Sequence, residues 1–374
     1  MPITKVAGKK DGKQKYRVRV NYVDRRGSYR QVERTAYGLE EAKDLEMLLT
    51  KELRQSSLVS RLTVSELAEE YLESKKSELR ETSYAKNVHL IKTYILPSMA
   101  EVRLDKLTVS ILQNWKNEIS GLDLSLRTRK TIYSMFRSVL NFAVRMDYIS
   151  QNPLSKLGTF KETTQVKKEM LFYTPEEFRA FISSARAAAE ASTEDYEWNY
   201  YVFFSIAFFT GARKGEILAL TWNDISGDVI KITKSLSQTL KGADRITAPK
   251  NAASIRDIQI PIPLSNVLRE HLSRCQEFDS FSPEWFICGC LRPLRTTSIQ
   301  NKLKTYATVA GVKVIRVHDF RHSHASFLAH EGINVQEIAR RLGHSKISTT
   351  LNTYSHLYPS EQERAVKVLN SLKI

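Results

Sequence analysis

The apolar run from Tyr200 to Phe209 constrains the fold of this chain more than any other stretch. It reads YYVFFSIAFF, so a helix built from it is apolar on every side rather than along one stripe. Such a helix is stable only when other elements surround it, which predicts a buried helix inside a sizeable domain. The run breaks at Gly211, where we expect a sharp turn from which Arg213 emerges, with Glu216 able to orient a neighbouring basic group.

A second group of polar residues lies between His318 and Tyr354. His318 and Arg321 are three residues apart, so if VIRVHDFRHSHASFLAHEG is helical they leave the same face and can bind one oxyanion together. The amphipathic segment INVQEIARRLGH ends at Gly343, a residue suited to the left-handed conformation that closes a helix, and this puts His344 in a turn. Tyr354 follows ten residues later, close enough to fold back toward the same place.

These residue types share a phosphate chemistry. Attack on a phosphodiester builds a transition state that needs more positive hydrogen-bond donation than the ground state does. Arginine suits this task because it is always charged and forked, and a second arginine improves on one. Arg213 supplies the second arginine beside Arg321, so the sequence favours a site for a phosphate ester.

Composition points to a polyanionic partner. The 374 residues carry 57 Lys and Arg against 41 Asp and Glu, a net charge of +16. Nucleic acid is the leading candidate, and a generally basic cytoplasmic or ribosome-associated protein is the alternative that charge alone leaves open. No apolar run approaches the ~18 residues of a membrane span, and the N-terminus lacks the apolar segment of a secretory signal. We therefore expect a cytoplasmic protein.

The three cysteines do not form a disulfide framework. Cys288 and Cys290, with His271 and Cys275 nearby, are an alternative zinc site, but their CxC spacing lacks the two-residue spacer usual in zinc knuckles. Reduced structural thiols are the preferred interpretation.

Patterning divides the chain into a multidomain fold of the α+β class. Residues 1–56 contain alternating strands, from Lys15 to Tyr22 and from Ser28 to Thr35, and then a helix from about Leu39. This predicts a small basic sheet backed by one helix, a shape that can enter the major groove of DNA.

Three further regions follow. Residues 60–155 hold four helical patterns, the first of which opens on a capping box at Thr63. Residues 156–171 are polar and without apolar period, which predicts a linker. Residues 172–374 are predicted to form a mainly helical domain with a small β-sheet.

The polar residues fall in the order and spacing of a known family. Arg213 within GARKGEILALTW, His318 and Arg321 within HDFR, His344 within LGH and Tyr354 within TYSH resemble the tyrosine recombinase (phage integrase) family. The resemblance covers essentially the whole chain, because residues 1–56 and 60–155 are similar to the arm-site and core-binding domains of lambda-type and conjugative-transposon integrases.

The resemblance implies a role for each residue. Tyr354 is the nucleophile, which attacks the scissile phosphate and leaves a 3′-phosphotyrosyl bond and a free 5′ hydroxyl. Arg213 and Arg321 hold the non-bridging oxygens. His318 accepts the tyrosine proton, and His344 donates to a phosphate oxygen. No metal ion or other cofactor is expected, since the phosphotyrosine conserves the bond energy for rejoining.

A lysine is expected as the general acid that protonates the leaving 5′ oxygen. Family members carry it on a β-hairpin, and Lys250 has the matching position between the predicted strands Val229–Ile232 and Ser254–Ile262. Asn251 stands where the family most often has threonine, and Lys241 is a nearby competitor for the role.

Other candidates are given lesser weight. His322, His324 and His330 lie on the same segment as the predicted clamp, but a histidine on a helix is more often a surface or core residue than a catalyst. Tyr358 competes with Tyr354 as the nucleophile, yet TYSH is the family form.

The resemblance implies a site-specific recombinase that integrates and excises a mobile element such as a prophage or conjugative transposon. Its expected partners are double-stranded DNA at attachment and arm sites and three further copies of the chain in a tetramer, at the bacterial nucleoid. An excisionase and a host DNA-bending protein are candidate accessory factors. The apolar helix predicted within residues 360–374 is expected to dock on a neighbouring protomer. A type IB topoisomerase and a non-enzymatic DNA-binding regulator are the competing functions.

Overall fold

The structure is a computed structural model, and it describes residues 2–23, 29–59, 62–161, 170–193, 195–238, 244–249, 252–357, 366 and 369–371. The chain divides into two compact units, Met1–Val166 and Lys167–Ile374. Each combines helices with small antiparallel sheets, which confirms the predicted α+β class.

A three-stranded antiparallel sheet opens the first unit. Its strands are β1 (Ile3–Lys10), β2 (Lys13–Val23) and β3 (Tyr29–Tyr37), in the order β1-β2-β3, and helix α1 (Leu39–Val59) packs on them. The small core between sheet and helix consists of Val18, Val20, Ala36 and Ala42. Strands β2 and β3 and helix α1 confirm the predicted elements.

Strand β1 is absent from the sequence prediction. Its sequence ITKVAGKK has no clear apolar alternation, because most of its side chains are exposed. The signal for it is the turn: Asp11 and Gly12 have φ angles of 50° and 74° between the paired residues Lys10 and Lys13. Asp-Gly is the dipeptide that two-residue hairpin turns prefer.

Helices form the rest of the first unit. They are α2 (Val64–Lys76), α3 (Glu81–Tyr94), α4 (Leu96–Met99), α5 (Val109–Gly121) and α6 (Leu126–Arg145). The predicted capping box is confirmed, since Thr63 and Glu66 exchange backbone and side-chain hydrogen bonds at the start of α2. Trp115 and Phe136 pack edge to face, with ring centroids 4.8 Å apart, in the core that these helices enclose.

The segment predicted as a linker begins by packing on this helical core. Phe160 is buried there, Leu157 is partly buried, and the Lys116 ammonium lies 5.5 Å from the Phe160 ring centroid. Residues 162–169 of the predicted linker lie outside the described residues.

The second unit alternates helices with two small sheets. Its elements are α7 (Pro175–Ala191), α8 (Trp198–Thr210), α9 (Lys214–Ala219), β4 (Ile225–Ser226), β5 (Val229–Ile232), β6 (Ser235–Ser237), β7 (Arg245–Thr247), β8 (Arg256–Gln259), α10 (Ile262–Gln276), α11 (Thr296–Val309), α12 (Asp319–His330), α13 (Val335–Leu342) and α14 (Ile347–Tyr354). One sheet has the order β4-β5-β8, and β6 pairs with β7 in the other.

Helix α8 is the buried helix that the apolar run predicts. Every residue from Trp198 to Phe208 is buried, and α7, α10 and α12 pack around it. The helix ends at Gly211, whose φ of 63° is the left-handed conformation expected at this turn.

Two boundaries and one pair of strands differ from the sequence prediction. Helix α12 begins at Asp319, so His318 is its N-cap. The φ of −68° and ψ of −22° at His318 are nevertheless helical, so His318 and Arg321 still leave the same face of the helix. The predicted strand from Ser254 to Ile262 shortens to β8, since Ile262 starts α10. Strands β6 and β7 lie between the two predicted strands and are not themselves predicted, because strands this short leave little periodicity to read.

Two negative findings apply to the described part of the chain. No helix there combines the length and apolar character that crossing a bilayer demands. No group of three or more His, Cys, Asp or Glu side chains comes together as a metal-binding cluster there. The predicted zinc alternative at Cys288 and Cys290 is therefore without geometric support among these residues.

Replacement of Gly211 by alanine tests the packing at the end of α8. A Cβ atom there lies 2.7 Å from His324 Cδ2 and 2.8 Å from Leu342 Cδ2, in addition to the strain of a φ of +63°. We expect Gly211→Ala to lower the free energy of unfolding by about 3 kcal/mol, from overpacking plus left-handed strain. Denaturant unfolding measures this change.

Gly311→Ala is the matched control, because Gly311 has a φ of +66° but nothing within 4 Å of the added Cβ. Left-handed strain alone should lower the free energy of unfolding of Gly311→Ala by about 1 kcal/mol. Equal losses in the two variants would contradict the packing argument.

Candidate active site

Two hydrogen bonds from arginine side chains to backbone carbonyls bring the motif segments together. Arg321 Nη1, on α12, donates to the Gly211 carbonyl at the end of α8 over 2.9 Å. Arg213 Nη2, which follows that turn, donates to the Gly343 carbonyl at the end of α13 over 3.3 Å. The segment that carries Arg213 therefore meets those that carry Arg321 and His344, although it lies more than a hundred residues before both in sequence.

Arg321 is a buried cation with spare donor capacity. Its residue exposure is 3%, and within the described residues its Nη2 atom has no hydrogen-bond partner. Burial, followed by the like charges of Arg213 and Arg256, lowers the pKa of the guanidinium. An unsatisfied charged donor in a buried place is costly, and an anion that accepts from Nη2 removes that cost.

Glu216 holds the cationic cluster in place. Its buried carboxylate accepts from Arg213 Nη1 over 2.8 Å through one oxygen and from Arg256 Nη2 over 2.9 Å through the other. The same carboxylate accepts from the Arg213 backbone N–H over 2.9 Å, so the side chain closes the N-terminus of α9. Burial alone raises the pKa of Glu216, but Arg256 and Arg213 outweigh it and hold the pKa below its ordinary value of 4.5.

Arg256 extends the network to the segment after Lys250. Its Nε donates to the Arg341 carbonyl over 2.6 Å, and its Nη1 donates to the Ser254 carbonyl over 3.0 Å. Its side chain is 5% exposed. Arg256 thus links Glu216 to the end of α13 and to the short turn of residues 252–254.

His344 lies beside the arginines and is oriented by a buried hydroxyl. Its Nδ1 is 2.8 Å from Thr350 Oγ1, on the first turns of α14. Burial and then the charges of Arg321 and Arg213 lower the pKa of His344, so the imidazole is neutral near neutral pH. When Thr350 donates to Nδ1, the hydrogen resides on Nε2, which is then a donor.

Tyr354 contacts a histidine other than the predicted one. Its hydroxyl lies 2.7 Å from Nδ1 of His322, and its side chain is 1% exposed. Burial raises the pKa of Tyr354 to about 12, although Arg321 works in the opposite direction. The phenol is therefore un-ionised at neutral pH.

His318 contacts His322, which lies between it and the Tyr354 hydroxyl. Its imidazole meets that of His322 edge to face, with centroids 5.2 Å apart. Partial desolvation, and then His322 and Arg321, lower the pKa of His318, but the residue is exposed and water screens part of this effect.

Some predicted positions lie outside the described residues. These are Lys250, Asn251, Lys241, Tyr358 and most of the tail from residue 360. In the part of the tail that the structure describes, Val366 and Leu369 are 49% and 62% exposed.

Sequence reasoning missed Arg256 and Thr350, and it gave His322 lesser weight than His318. Arg256 carried a readable signal, because it shares a strand face with the buried Ile258, and a charge on an inward face needs a partner. His322 lies four residues after His318, the spacing of neighbours on a helix. Thr350 carried no signal, since only the fold brings it to His344.

Glu216→Gln tests whether the carboxylate holds the cluster. Removing one partner of a buried ion pair leaves Arg256 uncompensated, so we expect the free energy of unfolding at neutral pH to fall by about 3 kcal/mol. Because the folded pKa of Glu216 is lowered, its contribution is present above pH 4.5 and is lost as pH falls through the folded value. The difference between parent and variant should therefore shrink in acid, as measured by denaturant unfolding along a pH series.

The matched control is Glu337→Gln, which removes the exposed ion pair of Glu337 with Arg340. Glu337→Gln should lower the free energy of unfolding by less than about 1 kcal/mol. Equal costs for the two variants, or a Glu216→Gln deficit that does not change with pH, would contradict the buried-network interpretation.

Comparison with known proteins identifies the family. The family model for the phage integrase family matches residues 173–361, and that for the phage integrase N-terminal SAM-like domain matches residues 63–120. The ICEBs1 integrase of Bacillus subtilis (strain 168) is 30% identical over 342 residues, covering 89% of this chain and 90% of that protein.

Solved structures share the fold. The Tn1549 transposon integrase in complex with a circular intermediate DNA has a TM-score of 0.67 at 18% identity, covering 83% of this chain and 100% of that one. A lambda integrase tetramer bound to a Holliday junction has a TM-score of 0.56 at 15% identity, covering 91% of this chain and 96% of that one. Together with the family match, these comparisons confirm the resemblance seen in the sequence. The chain belongs to the phage integrase family, and it is a tyrosine recombinase, a site-specific enzyme that cuts and rejoins DNA strands.

Proposed function

We propose that the cluster around Arg321 binds the scissile phosphate of duplex DNA and that Tyr354 attacks it, as part of the integration and excision of a mobile element. The observation that carries this proposal is the unused Nη2 donor of Arg321 in a buried cluster of arginines. A phosphate oxygen supplies both the acceptor and the negative charge that this cluster lacks.

The reaction exchanges one phosphate ester for another. The Tyr354 oxygen forms a bond to phosphorus, the bond from phosphorus to the 5′ oxygen breaks, and the DNA remains attached as a 3′-phosphotyrosyl ester. The 5′ oxygen takes a proton from a general acid, for which Lys250 is the candidate by position. Arg213 and Arg321 stabilise the charge on the non-bridging oxygens, and His344 donates to a phosphate oxygen. His318 and His322 are the candidate acceptors of the tyrosine proton.

The first unit is proposed to bind DNA through two domains. Residues 1–56 would contact arm sites, which is supported by the exposed Lys9, Lys10 and Lys13 at the β1–β2 turn. Residues 60–155 would contact the core site, and residues 156–171 would connect them to the catalytic region at 172–374. An excisionase and a host DNA-bending protein are proposed as accessory factors that set direction.

Tyr354→Phe tests the nucleophile. Without the hydroxyl no phosphotyrosyl bond can form, so we expect the variant to bind attachment-site DNA with unchanged affinity and to form no covalent adduct. The measurement is the yield of protein-linked DNA on denaturing gels, with a nicked suicide substrate that prevents rejoining.

Tyr358→Phe is the control and should form the adduct at the parental yield. Adduct formation by Tyr354→Phe would refute the assignment. Recombination between paired attachment sites, against mere relaxation of a supercoiled plasmid, separates a recombinase from a topoisomerase.

We further propose that four copies of the chain assemble on DNA and exchange their C-terminal tails. Val366 and Leu369 are apolar and largely exposed, which supports a tail that a neighbouring copy covers. The lambda integrase of the solved structure is a tetramer on a Holliday junction, in keeping with this arrangement.

Removal of residues 360–374 tests the exchange. We expect strand exchange to be abolished, because the copies are no longer coupled, while weak DNA binding remains. Native gels of the protein–DNA assembly and a recombination assay measure the two properties. Removal of Lys373 and Ile374 alone is the control. Undiminished recombination by the longer truncation would refute the proposal.

A further inference from the structure

The hydroxyl of Tyr354 has an imidazole within bonding distance before any DNA arrives. Nδ1 of His322 lies 2.7 Å from it, and the two rings are tilted by 53° with centroids 5.8 Å apart. The contact is thus a directed hydrogen bond rather than ring stacking. Helix α12 supplies the histidine and helix α14 the tyrosine, so the bond joins the two elements that carry the clamp and the nucleophile.

The direction of this bond follows from the state of the ring. A neutral imidazole with its hydrogen on Nε2 has a lone pair on Nδ1, and the phenol O–H donates to it. Burial is the largest influence on the pKa of His322 and lowers it, so the ring is neutral near neutral pH. The bond therefore already has the polarity that proton transfer from the phenol requires.

His318 does not make this contact. Within the described residues its ring touches His322 edge to face rather than the phenol, with centroids 5.2 Å apart. It is also exposed, whereas His322 is partly buried and Tyr354 is buried. The acceptor assigned by the family resemblance is therefore one side chain removed from the hydroxyl.

We propose that His322 is the group that receives the Tyr354 proton during strand cleavage and returns it during rejoining. This inference rests on the proposed function, in which Tyr354 is the nucleophile. As the tyrosine oxygen bonds to phosphorus, its proton moves to Nδ1 and His322 becomes an imidazolium. The 5′ oxygen leaves with a proton from the separate general acid. In rejoining, the 5′ hydroxyl gives its proton to the deprotonated general acid and its oxygen bonds to phosphorus, while the tyrosine oxygen leaves and takes the proton back from Nδ1 of His322.

The charge on His322 is set by groups from both helices. These are Tyr354 from α14 and, from α12 and the turn before it, His318, Asp319, Arg321 and Arg316. Asp319 favours the imidazolium, and its carboxylate is also bonded to Arg316 through two guanidinium nitrogens.

His322→Gln is the decisive variant, because an amide oxygen accepts the phenol hydrogen bond but cannot take the proton. Single-turnover adduct formation with a nicked attachment-site substrate should slow by about 10²- to 10⁴-fold at neutral pH, the usual loss on removing a general base. DNA affinity and the unfolding midpoint should match the parent. The difference in the rate of adduct formation between the parent and His322→Gln should decrease as pH rises, because hydroxide replaces the missing base.

His330→Gln is the matched control, since His330 is exposed at the far end of the same helix. It should react at the parental rate. His318→Gln should lower the rate without narrowing the deficit at high pH. A narrowing deficit in His318→Gln, together with an unimpaired His322→Gln, would overturn the proposal.

A sulfur-substituted substrate separates the base from the acid. A 5′-bridging thiolate leaves without needing a proton, so it should restore the rate of Lys250→Ala but leave His322→Gln slow. Restoration of His322→Gln would place His322 at the leaving group and overturn the proposal. If the parent protein forms no adduct, the proposed function fails as well; a parental rate in His322→Gln overturns this inference alone.

Discussion

The buried carboxylate of Glu216 is the interaction on which the site depends. It neutralises part of the charge of two arginines that come from different elements, Arg213 beside α9 and Arg256 on β8. Arginine side chains this close repel one another, and without an anion they would separate or move into water. Glu216 therefore fixes the two cations on folding, and in the proposed reaction little reorganisation of these groups would be left for the chemical step.

The two glycine helix ends give the second part of the arrangement. Gly211 closes α8 and Gly343 closes α13, both in the left-handed conformation. Each glycine carbonyl accepts a hydrogen bond from an arginine of another segment: Gly211 from Arg321, and Gly343 from Arg213. Carbonyls at a helix C-terminus carry partial negative charge, so they are natural partners for guanidinium groups. The arginines are thereby oriented by backbone atoms, which leaves part of their donor capacity for a ligand.

Local signals in the sequence predicted the elements better than the contacts between them. The apolar run of α8, the capping box at Thr63 and the amphipathic stripe of α13 each lie within one element, where periodicity and capping chemistry suffice. The partners of Glu216 and Tyr354 were beyond reach, because Arg256 and His322 lie 40 and 32 residues away along the chain. Motif spacing predicted Arg321 as a phosphate ligand, but only the packing of α14 on α12 decides which histidine faces the phenol.

The environment of Tyr354 bears on its proposed role as the nucleophile. Burial keeps the phenol of Tyr354 un-ionised, and an un-ionised phenol is a weak nucleophile. The same burial keeps His322 neutral and ready to accept a proton. In the proposed cycle the proton must remain on His322 until the 5′ hydroxyl of the second strand arrives, since the leaving tyrosine needs it back. Burial works against the charged form of His322, but Asp319 favours it. Partial burial also leaves His322 less accessible to water than the exposed His318.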